Sequence, residues 1–184
     1  MFRFSLVAMT AILTTFATIA SAQHSGMTGH NAPPAMSVPD AREQVHFPPE
    51  MQTNFLKNMR DHMETLNEIL QAVQAGDFAA AAKVATERLG LDSPSAAGCK
   101  TTDAGANGSA SVSKPPAPGS MEEMMALYMP APMRAVGLSM HTSASEFAAV
   151  ATQAAATHDA TAVMGALSRI TPNCVACHAT YRLR

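Results

Sequence analysis

Cys174-Val175-Ala176-Cys177-His178 stands six residues before the end of the 184-residue chain, and it restricts the fold more than any other stretch. Two thiols one helical turn apart, with an imidazole beside the second, form the CxxCH pattern of covalent haem attachment. The cysteines add to the two vinyl groups and the histidine binds the iron as proximal ligand. The same residues suit two other chemistries. A CxxC pair alone serves as a redox dithiol, and two cysteines with a histidine supply three of the four ligands that zinc takes. The dithiol reading lacks a thioredoxin-like strand–helix context, and the zinc reading lacks a second ligand pair. A haem reading requires a helical surface at the far end of the chain, set against an apolar pocket.

The N-terminus agrees with it. Met1-Phe2-Arg3 is a short basic start, Phe4 to Ala20 is mostly apolar, and Ala20-Ser21-Ala22 is a small-x-small cleavage site before Gln23. Residues 1–22 read as a secretory signal peptide, with an uncut membrane anchor as the rival that the cleavage site disfavours, and covalent haem attachment takes place outside the cytoplasm. No other stretch is long and apolar enough to cross a membrane, so no membrane span is expected after processing. Processing removes only Arg3 from the 12 Lys plus Arg and none of the 14 Asp plus Glu. The mild negative charge that remains gives no argument for nucleic acid. The chain has three cysteines. Two belong to the motif, which leaves Cys99 as a free thiol, an intermolecular disulfide partner or an inert residue.

Residues 23–184 suffice for one domain with a real core. Residues 23–46 read as a flexible arm, ordered at most near Val45-His46-Phe47. His24, Met27, His30 and Met36 in that arm are copper-ligand types, although a disordered tail holding them by chance is the favoured reading. From Pro49 to Ala75, Phe55, Met59, His62, Leu66, Ile69 and Val73 recur at spacings of three and four, and Leu56, Met63 and Leu70 widen the same face, which predicts a helix. Gly76 ends it and Asp77 caps a second helix running to Leu89. Gly90–Ser120 is rich in Gly, Ser, Thr and Pro and reads as a long crossover loop holding Cys99. Met121–Tyr128 suggests a short helix. A third main helix reaches from Pro130–Met133 to Thr157 with Met133, Val136, Gly137, Met140, Ala144, Phe147, Ala151 and Ala154 inward. The fourth starts near Asp159, carries Val163, Leu167 and Ile170 inward, and kinks or restarts at Thr171-Pro172. This order predicts an all-α domain over residues 47–184, an antiparallel four-helix bundle with a long crossover between its second and third helices. Such bundles house cofactors between facing helices. There is no alternating strand pattern or Gly-rich phosphate loop to support an α/β enzyme.

The four helical runs joined to Cys174-Val175-Ala176-Cys177-His178-Ala179-Thr180-Tyr181-Arg182 resemble the class II c-type cytochromes, the cytochrome c-prime and cytochrome c-556 group, over Phe47 to Arg184 apart from the Gly90–Ser120 loop. The resemblance implies one covalently bound haem c held by Cys174, Cys177 and His178, a periplasmic location, and one-electron transfer with periplasmic redox proteins rather than conversion of a substrate. It is compatible with a homodimer. Six-coordinate relatives place a methionine of the first helix on the iron. Here the resemblance points to Met59, by its distance from Gly76, with Met63 one turn on as the alternative. It also implies a haem-proximal place for Arg182. In five-coordinate relatives the distal side is vacant, and the alternative function is binding of nitric oxide or carbon monoxide. His62 shares the broad face of Met59, where it is a competing iron ligand in one reading and a polar packing or surface residue in the other. His141 reads as a surface or network residue, and Tyr181 as packing on the bundle or the haem.

Overall fold

The computed structural model describes residues 39–100 and 119–183. The expected signal peptide at 1–22, the expected arm up to residue 38 with His24, Met27, His30 and Met36, and residues 101–118 of the expected crossover lie outside the described residues. The protein is mostly helical. Its helices are α1 (Pro49–Gln74), α2 (Phe78–Arg88), α3 (Met121–Met125), α4 (Ala131–Thr157), α5 (Ala160–Leu167) and α6 (Thr171–Thr180), with a 3-10 turn at Pro94–Gly98. None of them is long and apolar enough to cross a membrane.

The helix ends follow local chemistry. Gly76 takes φ 73° just after α1, the left-handed conformation that costs glycine least. Its N–H donates to the Val73 carbonyl and that of Asp77 to the Ala72 carbonyl. The Asp77 carboxylate then accepts from the Ala80 N–H at 2.9 Å and starts α2, and Asp159 does the same for α5 through Ala162. Pro172 sits in the first turn of α6, where a missing N–H costs nothing. The fourth predicted helix is therefore two helices, with a restart at Thr171.

Two apolar clusters form. In the larger, α4 supplies Met140, Ala144, Phe147, Ala148, Ala151 and Ala154, and it meets Ile69 of α1, Phe78 to Leu89 of α2, and Val163, Leu167 and Ile170. Alanine on both α2 and α4 brings these helices close. In the smaller, Val45, Phe47, Met125, Met129, Met133 and Tyr181 gather, with Phe55 and Cys177 at the edge. Of the inward stripe expected of the third main helix, Met133, Met140, Ala144, Phe147, Ala151 and Ala154 are buried, whereas Val136 and Gly137 are half-buried. The broad face expected of the first is not fully buried, since Leu56, Met63 and Leu70 stay 40%, 67% and 49% exposed.

The N-terminal side of the unit adds an element that alternation did not reveal. β1 (Glu43–Gln44) pairs in parallel with β2 (Tyr181–Arg182), Glu43 opposite Tyr181 and Gln44 opposite Arg182. Residues 43–46, on the arm side of the boundary expected at 47, thus lie against the end of the chain, and Val45 and Phe47 are buried. The start of the crossover is equally built in: Leu91 N–H donates to Ser145 Oγ at 2.9 Å, and the 3-10 turn packs on α3 and α4.

Candidate functional site

Between the two clusters lies a cavity of about 510 Å³, a size typical of small-molecule and cofactor sites. One wall is α1, through Phe55, Leu56, Met59, His62, Met63 and Leu66. A second is α4, from Met133 to His141. The third is α6, through Asn173, Cys174, Cys177 and His178. Cys174 and His178 are four positions apart and Cys177 three from Cys174, so one helical face presents both thiols and the imidazole. Cys174 packs on the larger cluster and Cys177 on the smaller. Burial raises both thiols, and for Cys177 the neighbouring Cys174 adds to the rise. Both therefore stay protonated at neutral pH.

Of the residues singled out in the sequence, Cys174, Cys177, His178, Met59 and Met63 all line this one cavity. Met59 is half-buried, whereas Met63 is largely exposed at the rim. Arg182 is not part of the lining. It lies in β2, with Nε 3.7 Å from a carboxylate oxygen of Asp40; that Nε is buried with no hydrogen-bond partner.

The chain matches no family model, no curated protein and no solved structure.

The cavity histidines are engaged by the end of α2 and the start of the crossover. His141 is buried, and its Nδ1–H donates to the Leu89 carbonyl at 2.7 Å, a network role and not a surface one. His62 Nε2 lies 3.0 Å from Ser95 Oγ, and Ser95 Oγ is 3.3 Å from Ser93 Oγ. The two rings meet edge to face with centroids 5.5 Å apart. Burial pulls the His62 imidazole down to about 4, with the charge of His141 adding to it. Burial also lowers His141, against the hydrogen bond to Leu89. Both are neutral at neutral pH. Among the described residues no three His, Cys, Asp or Glu side chains converge to hold a metal ion, the arrangement that the zinc reading requires.

The roles of Cys99, Gly137 and Arg42 at the site were not legible in the sequence. Cys99, expected in an open loop, is a cavity wall, and burial pushes its thiol up to about 11, with nearby Cys177 adding to the shift. Gly137 makes room for it, because a Cβ there would collide with Cys99 Sγ. Arg42 donates from Nη1 to the His178 carbonyl at 3.2 Å and from Nε and Nη2 to Asp40 at 3.0 and 2.7 Å. These hydrogen bonds hold the Asp40 carboxyl down at about 2. No local pattern could announce a contact spanning 136 positions.

The Gly137–Cys99 fit gives a stability prediction with a sign reversal. Gly137→Ala gains about 1 kcal/mol of helix propensity but meets an overpacking cost of about 1–3 kcal/mol, so it destabilises the protein. In a Cys99→Ala background the clash is gone and the same substitution stabilises by about 0.5–1 kcal/mol. Denaturant unfolding of the four proteins checks it, and additivity of the two changes contradicts the contact.

Proposed function

We propose that this protein is an exported, periplasmic c-type cytochrome that carries single electrons, built as an antiparallel four-helix bundle with α5 and α6 as its fourth arm. The observation that carries the reading is the convergence, on one apolar cavity, of Cys174, Cys177 and His178 from α6 with the thioethers of Met59 and Met63 from α1. Haem suits this donor set: two thiols on one helical face for its vinyl groups, a nitrogen donor beside them, a soft sulfur donor on another helix and apolar walls between. Bound there, haem supplies a ferric–ferrous couple that exchanges one electron with no organic substrate.

The chain's own residues have distinct tasks in that reading. Cys174 and Cys177 fix the ring edge to α6. His178 would hold the iron through a ring nitrogen and Met59 through its sulfur, with Met63 as its neighbour. Phe55, Leu66, Met133 and Met140 keep water from the ring and lower the polarity around it. Leu56 and Met63, both exposed and on the cavity lining, leave an apolar rim through which periplasmic redox proteins approach. The basic start, apolar run and Ala20-Ser21-Ala22 site support export, and the resemblance to class II c-type cytochromes supports both the location and the chemistry.

Optical spectra of the oxidised and reduced protein, with and without carbon monoxide, test the proposal. A low-spin ferrous spectrum indifferent to carbon monoxide is the expected result. A high-spin ferrous spectrum that shifts with the gas assigns the protein to nitric oxide or carbon monoxide binding instead. A protein that carries no covalent haem overturns both.

A further inference from the structure

The last turn of α6 carries His178, and the carbonyls of a terminal helical turn have no intrahelical donors. The His178 carbonyl receives one from far away in sequence, the Arg42 guanidinium at 3.2 Å. Arg42 is itself aimed by two further bonds to Asp40, and its backbone N–H also donates to that carboxylate, at 3.1 Å. A cation at this end of a helix is favoured by the helix dipole as well. The segment is then sewn down on its other side. β1 pairs with β2 immediately after α6, Val45 N–H donates to the Arg182 carbonyl at 2.9 Å, and Val45 and Tyr181 share the smaller cluster. Asp40 also draws Arg182 to 3.7 Å.

We propose that Arg42, held by Asp40, is a positioning residue that caps α6 through the His178 carbonyl and fixes the turn presenting the His178 imidazole to the cavity. The proposal rests on the reading of His178 as an iron ligand for its functional meaning, but the cap itself is a property of the chain. Arg42 is half-exposed, so its contribution is local and modest. It acts on the orientation of one turn and not on the stability of the whole fold. Tryptic or mutational loss of the segment before α1 would free the same turn.

Hydrogen–deuterium exchange of the full-length protein, read by mass spectrometry, tests the cap. Arg42→Ala is expected to speed exchange in the peptide spanning 174–183 by roughly two- to fivefold, the range that one partly exposed charged hydrogen bond supports, while α2 and α4 stay unchanged. Arg42→Lys, which keeps a donor and the charge, recovers most of the protection. Lys83→Ala breaks an exposed ion pair on α2 and leaves 174–183 unaffected. In haem-bearing protein, Arg42→Ala also changes the amplitude of the Soret circular dichroism, which reports ring orientation. Unchanged exchange at 174–183, or acceleration spread equally over α2 and α4, overturns the cap. Local acceleration with an unchanged Soret signal overturns its positioning role. Absence of covalent haem in the unsubstituted protein overturns the cytochrome reading instead, and with it the positioning role, whereas the exchange result still decides the cap.

Discussion

If the protein is the proposed c-type cytochrome, replacing Cys174 and Cys177 together with serine is expected to remove its covalent haem completely. A serine hydroxyl does not add to a vinyl group, so no thioether forms, and a haem stain after denaturing electrophoresis falls to background. The fold survives the change. Both side chains are half-buried at cluster edges, serine nearly matches cysteine in volume, and neither thiol is in a disulfide. Far-ultraviolet circular dichroism therefore stays that of the unsubstituted protein. Either single substitution leaves one thioether, with stain retained and an altered α band. Cys99→Ser leaves the stain unchanged, because Cys99 comes from the crossover and not from the face that carries His178. Stain persisting in the double variant would transfer attachment to Cys99, the other thiol on the cavity, and would sink the CxxCH reading.

What could be read from the sequence was what local chemistry encodes. Gly76 and Asp77 fix one helix boundary through a left-handed turn and a side-chain cap, Asp159 another, and Pro172 a restart, because each acts within four residues of itself. The stripe on α4 was legible for the same reason: Phe147, Ala151 and Ala154 are core wherever the partner helices lie. The cavity was only half legible. Periodicity placed Met59 and Met63 on one face of α1 and the motif placed Cys174, Cys177 and His178 on one face of α6, but nothing local says that the two faces share a space. Periodicity also overstated burial. Leu56 and Met63 line the cavity mouth and Leu70 remains half-exposed, because an apolar face can border a pocket as well as a core. Long-range pairings were silent altogether. β1 and β2 are two residues each, too short for alternation to register. His141 and Leu89, Cys99 and Gly137, and Arg42 and His178 meet only after the chain has folded back.

The choice between electron carriage and gas binding rests on α1, and burial separates its two methionines. A thioether is a weak, soft donor, so an iron–sulfur bond endures only if little conformational freedom is lost in making it. Met59 already lies half-buried in the cavity wall, whereas Met63 is 67% exposed and must give up more rotamer freedom and swing inward. Met59→Ala is thus expected to convert a low-spin ferrous spectrum to a high-spin one, to admit carbon monoxide, and to lower the reduction potential, since methionine ligation favours the ferrous state. Met63→Ala keeps the low-spin spectrum. Truncation at a cavity wall removes few packed contacts, so Met59→Ala costs stability at or below the low end of the roughly 2–5 kcal/mol seen for core methionines, and unfolding curves separate loss of ligation from loss of fold. Loss of the low-spin spectrum in Met63→Ala alone would transfer the sulfur to Met63. An unchanged spectrum in both variants would pass the ligand role to another cavity donor, and beside His178 the imidazole nitrogen donors on the lining are His62 and His141. Each of these is already committed through one ring nitrogen to the 89–95 segment, so ligation by either requires its other nitrogen, and substitution of Ser95 or loosening of that segment would then alter the spectrum where methionine ligation would not.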